Sequence, residues 1–489
     1  MSDYTDVICS IELPKDNQNS DETKVIDLTI GVFFDGTCNN KYNIDATKDG
    51  VAIPTDKDKN KSYFGTFSNV AELFESYDEE SPPNTAKVYV EGIGTVEPIT
   101  DQNGKLISSG ALDDQPGYAF GKGDKGINGK IERGCKMIVD EIEKLTHNID
   151  DESVAIGTLS LDVFGFSRGA AAARSFVNRI EKAPEDGSKM ISEGKKVYLR
   201  KYLKDSSIVI EKIVVRFLGI FDTVSSFAPG SFVDLNFDND VKELGLGIPK
   251  EVKKVVHLVA ADEYRLNFSL TSITPSKQAI ELILPGAHSD IGGGYSVTEH
   301  EKIVMVPAYR GSGEVCRGYM TFDELKSGCW VPFNCEQQEF DRYGKTHIVR
   351  TITHRIINNS YSKIPLNLMG MMSEPEGIKY QKFVYDKSIT IPNNYAIELS
   401  KVKALIDSMK SGENKLYKLS TETEKKLFGL ISKVHTVITP ICNEDEMEII
   451  KSIRAGYIHL SAQNEKALWG TFIEPHKPAD RRTRLILHS

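Results

Sequence analysis

Between Leu161 and Arg174 the chain reads "LDVFGFSRGAAAAR", and no other segment restricts the possible folds as much. Up to Phe164 it is apolar and strand-like, it changes character at Gly165-Phe166-Ser167-Arg168-Gly169, and from Ala170 onward it favours helix. Ser167 is therefore expected at a strand-to-helix corner. A Gly-x-Ser-x-Gly corner suits a strained turn that lifts a serine above a sheet edge, because glycines two residues to either side let the backbone pass closely. Arg168 supplies the N–H that follows the serine, one half of an oxyanion hole. The helix starting near Ala170 directs its positive dipole end at the charge that would develop there.

The surrounding pattern extends the corner into a layered fold. "VIDLTIGVFFDG" (Val25 to Gly36), "AKVYVEGIGT" (Ala86 to Thr95), the elbow strand, "IVVRFLGIFDTV" (Ile213 to Val224) and "AIELILPGAHSDIGGGY" read as strands. "GYAFGKGDKGINGKIERGCKMIVDEIEKL" reads as a glycine-rich loop entering an amphipathic helix, and "KKVVHLVAADEYRLNF" as a further helix. Such alternation predicts an α/β fold with a mainly parallel, doubly wound sheet. The expected organisation is a loose leader over 1–24, a catalytic core over 25–295 and a cap-like insertion over 296–345. The core then returns over 346–393, a peripheral Lys/Glu-rich helical insertion follows over 394–450, and a C-terminal core segment spans 451–489.

Bulk properties remove several function classes. A chain of 489 residues with a net charge of −10 and no basic stripe is a poor match for nucleic acid. The seven cysteines (Cys9, Cys38, Cys135, Cys316, Cys329, Cys335, Cys442) are odd in number and never spaced Cys-x-x-Cys. Neither a disulfide framework nor a zinc site is indicated, and a reducing cytoplasm is the expected place of synthesis. The polar, acidic start "MSDYTDVICSIELPKDNQNSDETK" does not read as a signal peptide. No run reaches the ~18 apolar residues of a membrane span, so contact with lipid is expected from the aqueous side. No cofactor and no metal are expected.

A serine hydroxyl needs a base to take its proton and an acid to orient that base, in the chain order serine, acid, histidine. His257 falls in the expected helix, and His300, His347, His354 and His435 lie in polar or helical contexts. His288 follows the apolar strand "IELILPGA" and opens "HSDIGGGY", which makes it the candidate base, with His459 in "GYIHLSA" in reserve. Asp222 ends the strand "VVRFLGIF" and is the candidate acid, with Asp290 and Asp262 as rivals. The second oxyanion donor is expected from "FFDGTCNN", where Gly36 and Thr37 present N–H groups past a buried strand. Asp35 bonding to neighbouring turn amides is an equal alternative use of that turn.

"GVFFDGTCNN", "GFSRGAAAAR", "FLGIFDTV" and "GAHSDIGGGY", in this order, closely resemble the signatures of type VI secretion phospholipase effectors, the first lipase-effector family. "FGKGDKGINGKIERG" and "SYSKIPLNLMGMM" are also similar to theirs. The resemblance implies an α/β-hydrolase fold and a Ser-Asp-His triad carried on Ser167, Asp222 and His288. It implies hydrolysis of acyl esters in membrane glycerophospholipids, phospholipase A type, after delivery into a competitor's periplasm. A secretion spike or tube protein and a cognate immunity protein are the partners that it implies.

Two other readings remain open at this point: a soluble carboxylesterase on small acyl esters, and a non-catalytic module that inherited the fold. Met369, Met371 and Met372 in "IPLNLMGMM" are the expected apolar surface for an acyl chain, since methionine adapts to variable partners.

Overall fold

The computed structural model describes residues 24–51, 61–96, 99–100, 106–108, 126–147, 154–180, 199–225, 244–265, 267–273, 276–305, 320–332, 338–339, 342–343, 346–347, 351–425, 432–462 and 484–488. Residues 1–23 of the expected leader and the glycine-rich loop from Gly117 up to Gly126 lie outside these residues, and Lys24, the last of the expected leader, already begins the first strand. Its centre is a six-stranded sheet built from β1 (Lys24–Phe34), β2 (Thr85–Val90), β3 (Val154–Phe166), β4 (Ile210–Phe221), β5 (Lys254–Ala260) and β6 (Ala279–Leu284). The order is β2-β1-β3-β4-β5-β6, and every neighbouring pair is parallel. The near-continuous Val/Ile/Leu/Phe runs of these strands follow from burial on both faces.

Alternation of side chains along each strand feeds two cores. Phe33, Phe164, Phe217 and Phe221 point to one face, and Phe34, Val163, Leu218 and Ile220 to the other. On the first face lie α1 (Asn69–Ser76) and, later in the chain, a helix over Lys363–Ser373; on the second lie α2 (Ile127–His147) and α3 (Arg168–Arg179). In α2 the buried Ile127, Ile131, Cys135, Ile138 and Ile142 recur at helical spacing and make the stripe that docks it. The sheet is thus doubly wound, as expected. Its strand order reverses between β1 and β3, and the carboxyl ends of the strands at such a reversal are the usual ligand position in open parallel sheets.

Two elements differ from the sequence reading. Lys254–Ala260 is a strand, not a helix, and His257 on it is fully buried. Its "VVHLVA" run is β-branched and lies between two parallel neighbours, which outweighs the local helical spacing. Of the described residues in the expected 394–450 helical stretch, Asn393–Asp407 and Glu444–Tyr457 are α-helix, whereas Tyr417–Lys425 and Ser432–Pro440 pair as antiparallel strands between them. β-branched residues on both strands, Thr421 on one and Thr436, Val437, Ile438 and Thr439 on the other, favour that pairing. Within 296–358, Thr298–Met305 pairs antiparallel with Thr351–Asn358. Among the described residues no helix is long and apolar enough to cross a membrane.

Candidate active site

Ser167 stands between β3 and α3 with φ 59° and ψ −127°, a conformation that costs energy for any residue with a side chain. Neighbouring strands hold it there: Ser167 N donates to Phe221 O at 3.0 Å, and Val224 N donates to Ser167 O at 3.3 Å. The flanking glycines are steric necessities. A Cβ on Gly165 would lie 2.7 Å from Ala170 Cα, and one on Gly169 would lie 2.2 Å from Asp35 O and 2.5 Å from Phe34 O. Helix α3 therefore starts in backbone contact with the end of β1. Gly169→Ala is expected to cost about 3 kcal/mol in chemical denaturation, as overpacking against immovable backbone does. Gly456→Ala, where an added Cβ meets nothing within 4 Å, should leave the midpoint unchanged or raise it. Equal midpoints for the two variants would refute this account of the elbow.

Asp222 follows β4 directly, also with positive φ (41°), and its N–H is fixed on Leu258 O at 2.7 Å. Asp222 Oδ2 lies 2.6 Å from His288 Nδ1. Asp222 also receives Ala260 N on Oδ1 at 2.9 Å and the Arg484 guanidinium on both oxygens, Nη1 to Oδ1 at 2.7 Å and Nη2 to Oδ2 at 2.8 Å. Burial alone would raise this carboxyl, but the Arg484 charge and the bond to His288 hold it well below the usual carboxylate range. His288 leaves β6 through Pro285-Gly286-Ala287, and its N–H donates to Glu263 Oε2 at 3.3 Å. Its buried ring packs 4.7 Å from the Phe166 ring and edge-on to Phe268 at 5.0 Å. Burial lowers the imidazole below its ordinary value, with Asp222 opposing, which favours the neutral ring.

Ser167, Asp222 and His288 thus converge at the carboxyl ends of β3, β4 and β6, with Phe166 and Phe221 linking them. The glycine run after His288 serves this convergence. A Cβ on Gly292 would fall 2.0 Å from the Phe166 ring, so the histidine loop can close on the elbow only with glycine there.

The turn after β1 differs from expectation. Gly36 N donates to Asp35 Oδ1 at 2.7 Å, so Gly36 has no spare donor for an oxyanion in this arrangement. The alternative use of Asp35, bonding its own turn, is the one observed. Asp35 further accepts Ser68 Oγ at 2.6 Å and Tyr89 OH at 2.5 Å. Burial pushes its carboxyl up to about 6 against the lowering effect of these bonds. Thr37 Oγ1 accepts Arg168 Nε at 2.8 Å and ties the turn to the elbow. Among the described residues the Thr37 N–H has no hydrogen-bond partner.

The methionine expectation is also corrected. Met369 and Met372 are buried core residues, while Met371 is half-buried with its Sδ 3.5 Å from Asn367 Nδ2. Their helix, Lys363–Ser373, is buried over most of its surface against the sheet, and Met369 and Met372 face protein there.

The reserve residues form their own pairs. Asp290 Oδ1 lies 2.7 Å from His459 Nδ1, and its Oδ2 accepts the N–H groups of His459 at 3.0 Å and Ala287 at 2.9 Å. Asp262 accepts Gly286 N at 2.7 Å and Arg454 Nη2 at 3.2 Å. Sequence reasoning missed His257, which accepts Thr223 N at 3.1 Å and faces Glu281 Oε2 at 2.9 Å, bracing the turn beside Asp222. It missed Glu263 and Arg484 as well. No spacing signal marks Arg484, one of three arginines in "RRTRLILHS".

Comparison with known proteins agrees with the fold. No curated protein gives a significant match. The solved structure of a Tle1 effector bound to the VgrG spike of the type VI secretion system is similar over 100% of this chain and 98% of that chain, at 22% identity and a TM-score of 0.57. A crystal structure of an uncharacterized protein from Pseudomonas aeruginosa aligns over 80% of this chain and 51% of its own, at 18% identity and a TM-score of 0.36. A family model described as the catalytic domain of Tle1-like phospholipase effectors of the type VI secretion system matches residues 29–207 and 182–309, more than half of the sequence. The chain therefore belongs to the Tle1-like phospholipase effectors of type VI secretion, a family of lipid-hydrolysing enzymes.

Proposed function

We propose that the protein is a serine phospholipase of the A type that works through Ser167, His288 and Asp222. The observation that carries this reading is the 2.6 Å bond between Asp222 and His288 beside the strained Ser167 corner. With Nδ1–H engaged by Asp222, the other ring nitrogen, Nε2, is the acceptor for the Ser167 proton. The freed Oγ attacks an ester carbonyl of the glycerophospholipid. The N–H groups of Arg168 and Thr37, with the first turn of α3, receive the charge on the carbonyl oxygen. Collapse passes the proton from His288 to the departing lysophospholipid and leaves an acyl group on Ser167, which water activated by His288 then removes as fatty acid.

Family membership supports delivery by a type VI system, and the spike-bound state of the related effector supports a secretion spike as the carrier. The target compartment in this reading is a competitor's periplasm, with an immunity protein guarding the producer.

The test is mass spectrometry of phosphatidylethanolamine/phosphatidylglycerol vesicles after treatment, together with fluorophosphonate labelling. Fatty acid and lysophospholipid in equal amounts, with the label on Ser167, are expected. Diacylglycerol or phosphatidic acid as the first product, or a label on another serine, would reject the reading.

A further inference from the structure

The acid of a serine triad ordinarily needs only backbone donors and its histidine to stay ionised when buried. Asp222 has more. Each of its oxygens accepts two donors: Oδ1 from Ala260 N (2.9 Å) and Arg484 Nη1 (2.7 Å), Oδ2 from His288 Nδ1 (2.6 Å) and Arg484 Nη2 (2.8 Å). The two guanidinium contacts form a parallel fork, the geometry in which arginine binds carboxylate most tightly. The remaining Arg484 donors are aimed as well: Nε bonds Phe268 O at 2.7 Å and Nη1 lies 3.3 Å from Ala260 O. Phe268 is the residue whose ring stands edge-on against His288. The backbone around Arg484 is held in turn, because Leu270 N donates to Leu485 O at 2.8 Å and Ile486–His488 runs parallel to Leu270–Ser272.

We propose that Arg484 is a positioning residue of the catalytic centre, fixing Asp222 with its fork and setting how strongly Asp222 can hold a proton on His288. The proposal rests on the acid–base reading of Asp222 and His288 given above. Its physical content is a competition. The same carboxylate serves an imidazole and a guanidinium, so the cation cancels part of the charge that would otherwise stabilise an imidazolium. The other charged groups facing His288 are Glu263, which accepts its N–H, and Arg265, paired with Glu263 and stacked on Phe268. Asp290, with His288 on the short helix His288–Gly292, is occupied by His459. Arg484 alone among these grips both oxygens of Asp222. With Arg484 present, the base stays neutral to lower pH, at the cost of a weaker pull on the proton.

A purely structural bridge and this competition make different predictions. Removing a structural bridge lowers stability and amplitude at every pH. Removing the competitor also strengthens the hold of Asp222 on the proton of His288, so the acid limb of the rate profile moves upward. The experiment is the pH profile of kcat/KM on a short-chain phosphatidylcholine kept monomeric, for wild type, Arg484→Gln and Arg484→Lys, with thermal melts in parallel. The wild-type acid limb should lie below about 6.5, the ordinary imidazole value. Arg484→Gln is expected to move it up by about half a pH unit or more and to lower kcat roughly tenfold. Arg484→Lys keeps a charge but lacks the fork, so it should move the limb the same way by less, and it decides the matter if the Gln chain does not fold. A limb that stays at the wild-type position in every folded variant overturns the proposal, whatever happens to amplitude or melting temperature. His288→Gln, run alongside, separates the two failures. If it keeps wild-type activity, the acid–base reading is at fault; if it is inactive while the limb stays fixed in the Arg484 variants, only the role of Arg484 falls.

Discussion

Ser167→Ala is expected to lower phospholipid turnover by about 10⁴-fold or more while the melting temperature stays within a degree or two of wild type. The energetic argument has two sides. The hydroxyl is the only atom lost, and the backbone bonds from Ser167 to Phe221 and Val224 do not involve it. The strained φ of 59° is retained, since alanine has the same Cβ as serine. Substrate binding and the oxyanion donors remain, so a small residual rate above the uncatalysed one is also expected. Vesicle hydrolysis followed by fatty-acid release measures the effect. A variant that keeps more than about a tenth of wild-type turnover would remove Ser167 from the mechanism, because triad nucleophiles do not tolerate that change.

Asp222→Asn should be comparably severe in rate, about 10⁴-fold, but unlike the serine variant it should also destabilise the protein. An amide in place of the carboxylate no longer selects the productive imidazole tautomer or stabilises the imidazolium. It also leaves the Arg484 guanidinium, which bonds both Asp222 oxygens, buried opposite a neutral group. Breaking one side of a buried pair costs about 3–5 kcal/mol. Combining Asp222→Asn with Arg484→Met should recover a good part of that stability and none of the activity, because the stranded charge is gone while the acid is still missing. Asp290→Asn is the comparison: its carboxylate faces His459 at 2.7 Å, so its loss should cost far less rate than the change at Asp222. A more damaging effect at Asp290 than at Asp222 would reassign the acid.

How much of this could be seen in the sequence depends on how local the cause is. The corner at Ser167, the buried strands before it and after it, and the strand exits at Asp222 and His288 are written in runs of a few residues. Chain order then restricts which of them can meet, and Asp222 and His288 do meet. The failures share a different cause. The segment Lys254–Ala260 has apolar spacing that suits a helix, and only its position between β4 and β6, with Glu281 waiting for His257, makes it a strand. Gly36 has the right neighbours for an oxyanion donor, but its N–H is taken by Asp35, whose orientation is fixed by Ser68 and Tyr89 from elsewhere in the chain. Met369 and Met372 have the composition of a lipid surface and the surroundings of a core. Arg484 acts on Asp222 across 262 positions of chain, and no local pattern announces such a partner.

The place of Arg484 in the chain also bears on the order of biosynthesis. Translation delivers β1, the Ser167 corner, Asp222 and His288 to the nascent polypeptide well before Arg484 emerges. Domains form from the amino end while the ribosome is still elongating. During that interval the six strands are available to pair, whereas the carboxylate beside His288 still lacks the cation that fixes it. The Arg484 fork therefore closes on Asp222 only when the distant segment returns to lie along Leu270–Ser272. Fixing of the acid is thereby among the last steps of manufacture, after the strands that carry Ser167, Asp222 and His288 have been made.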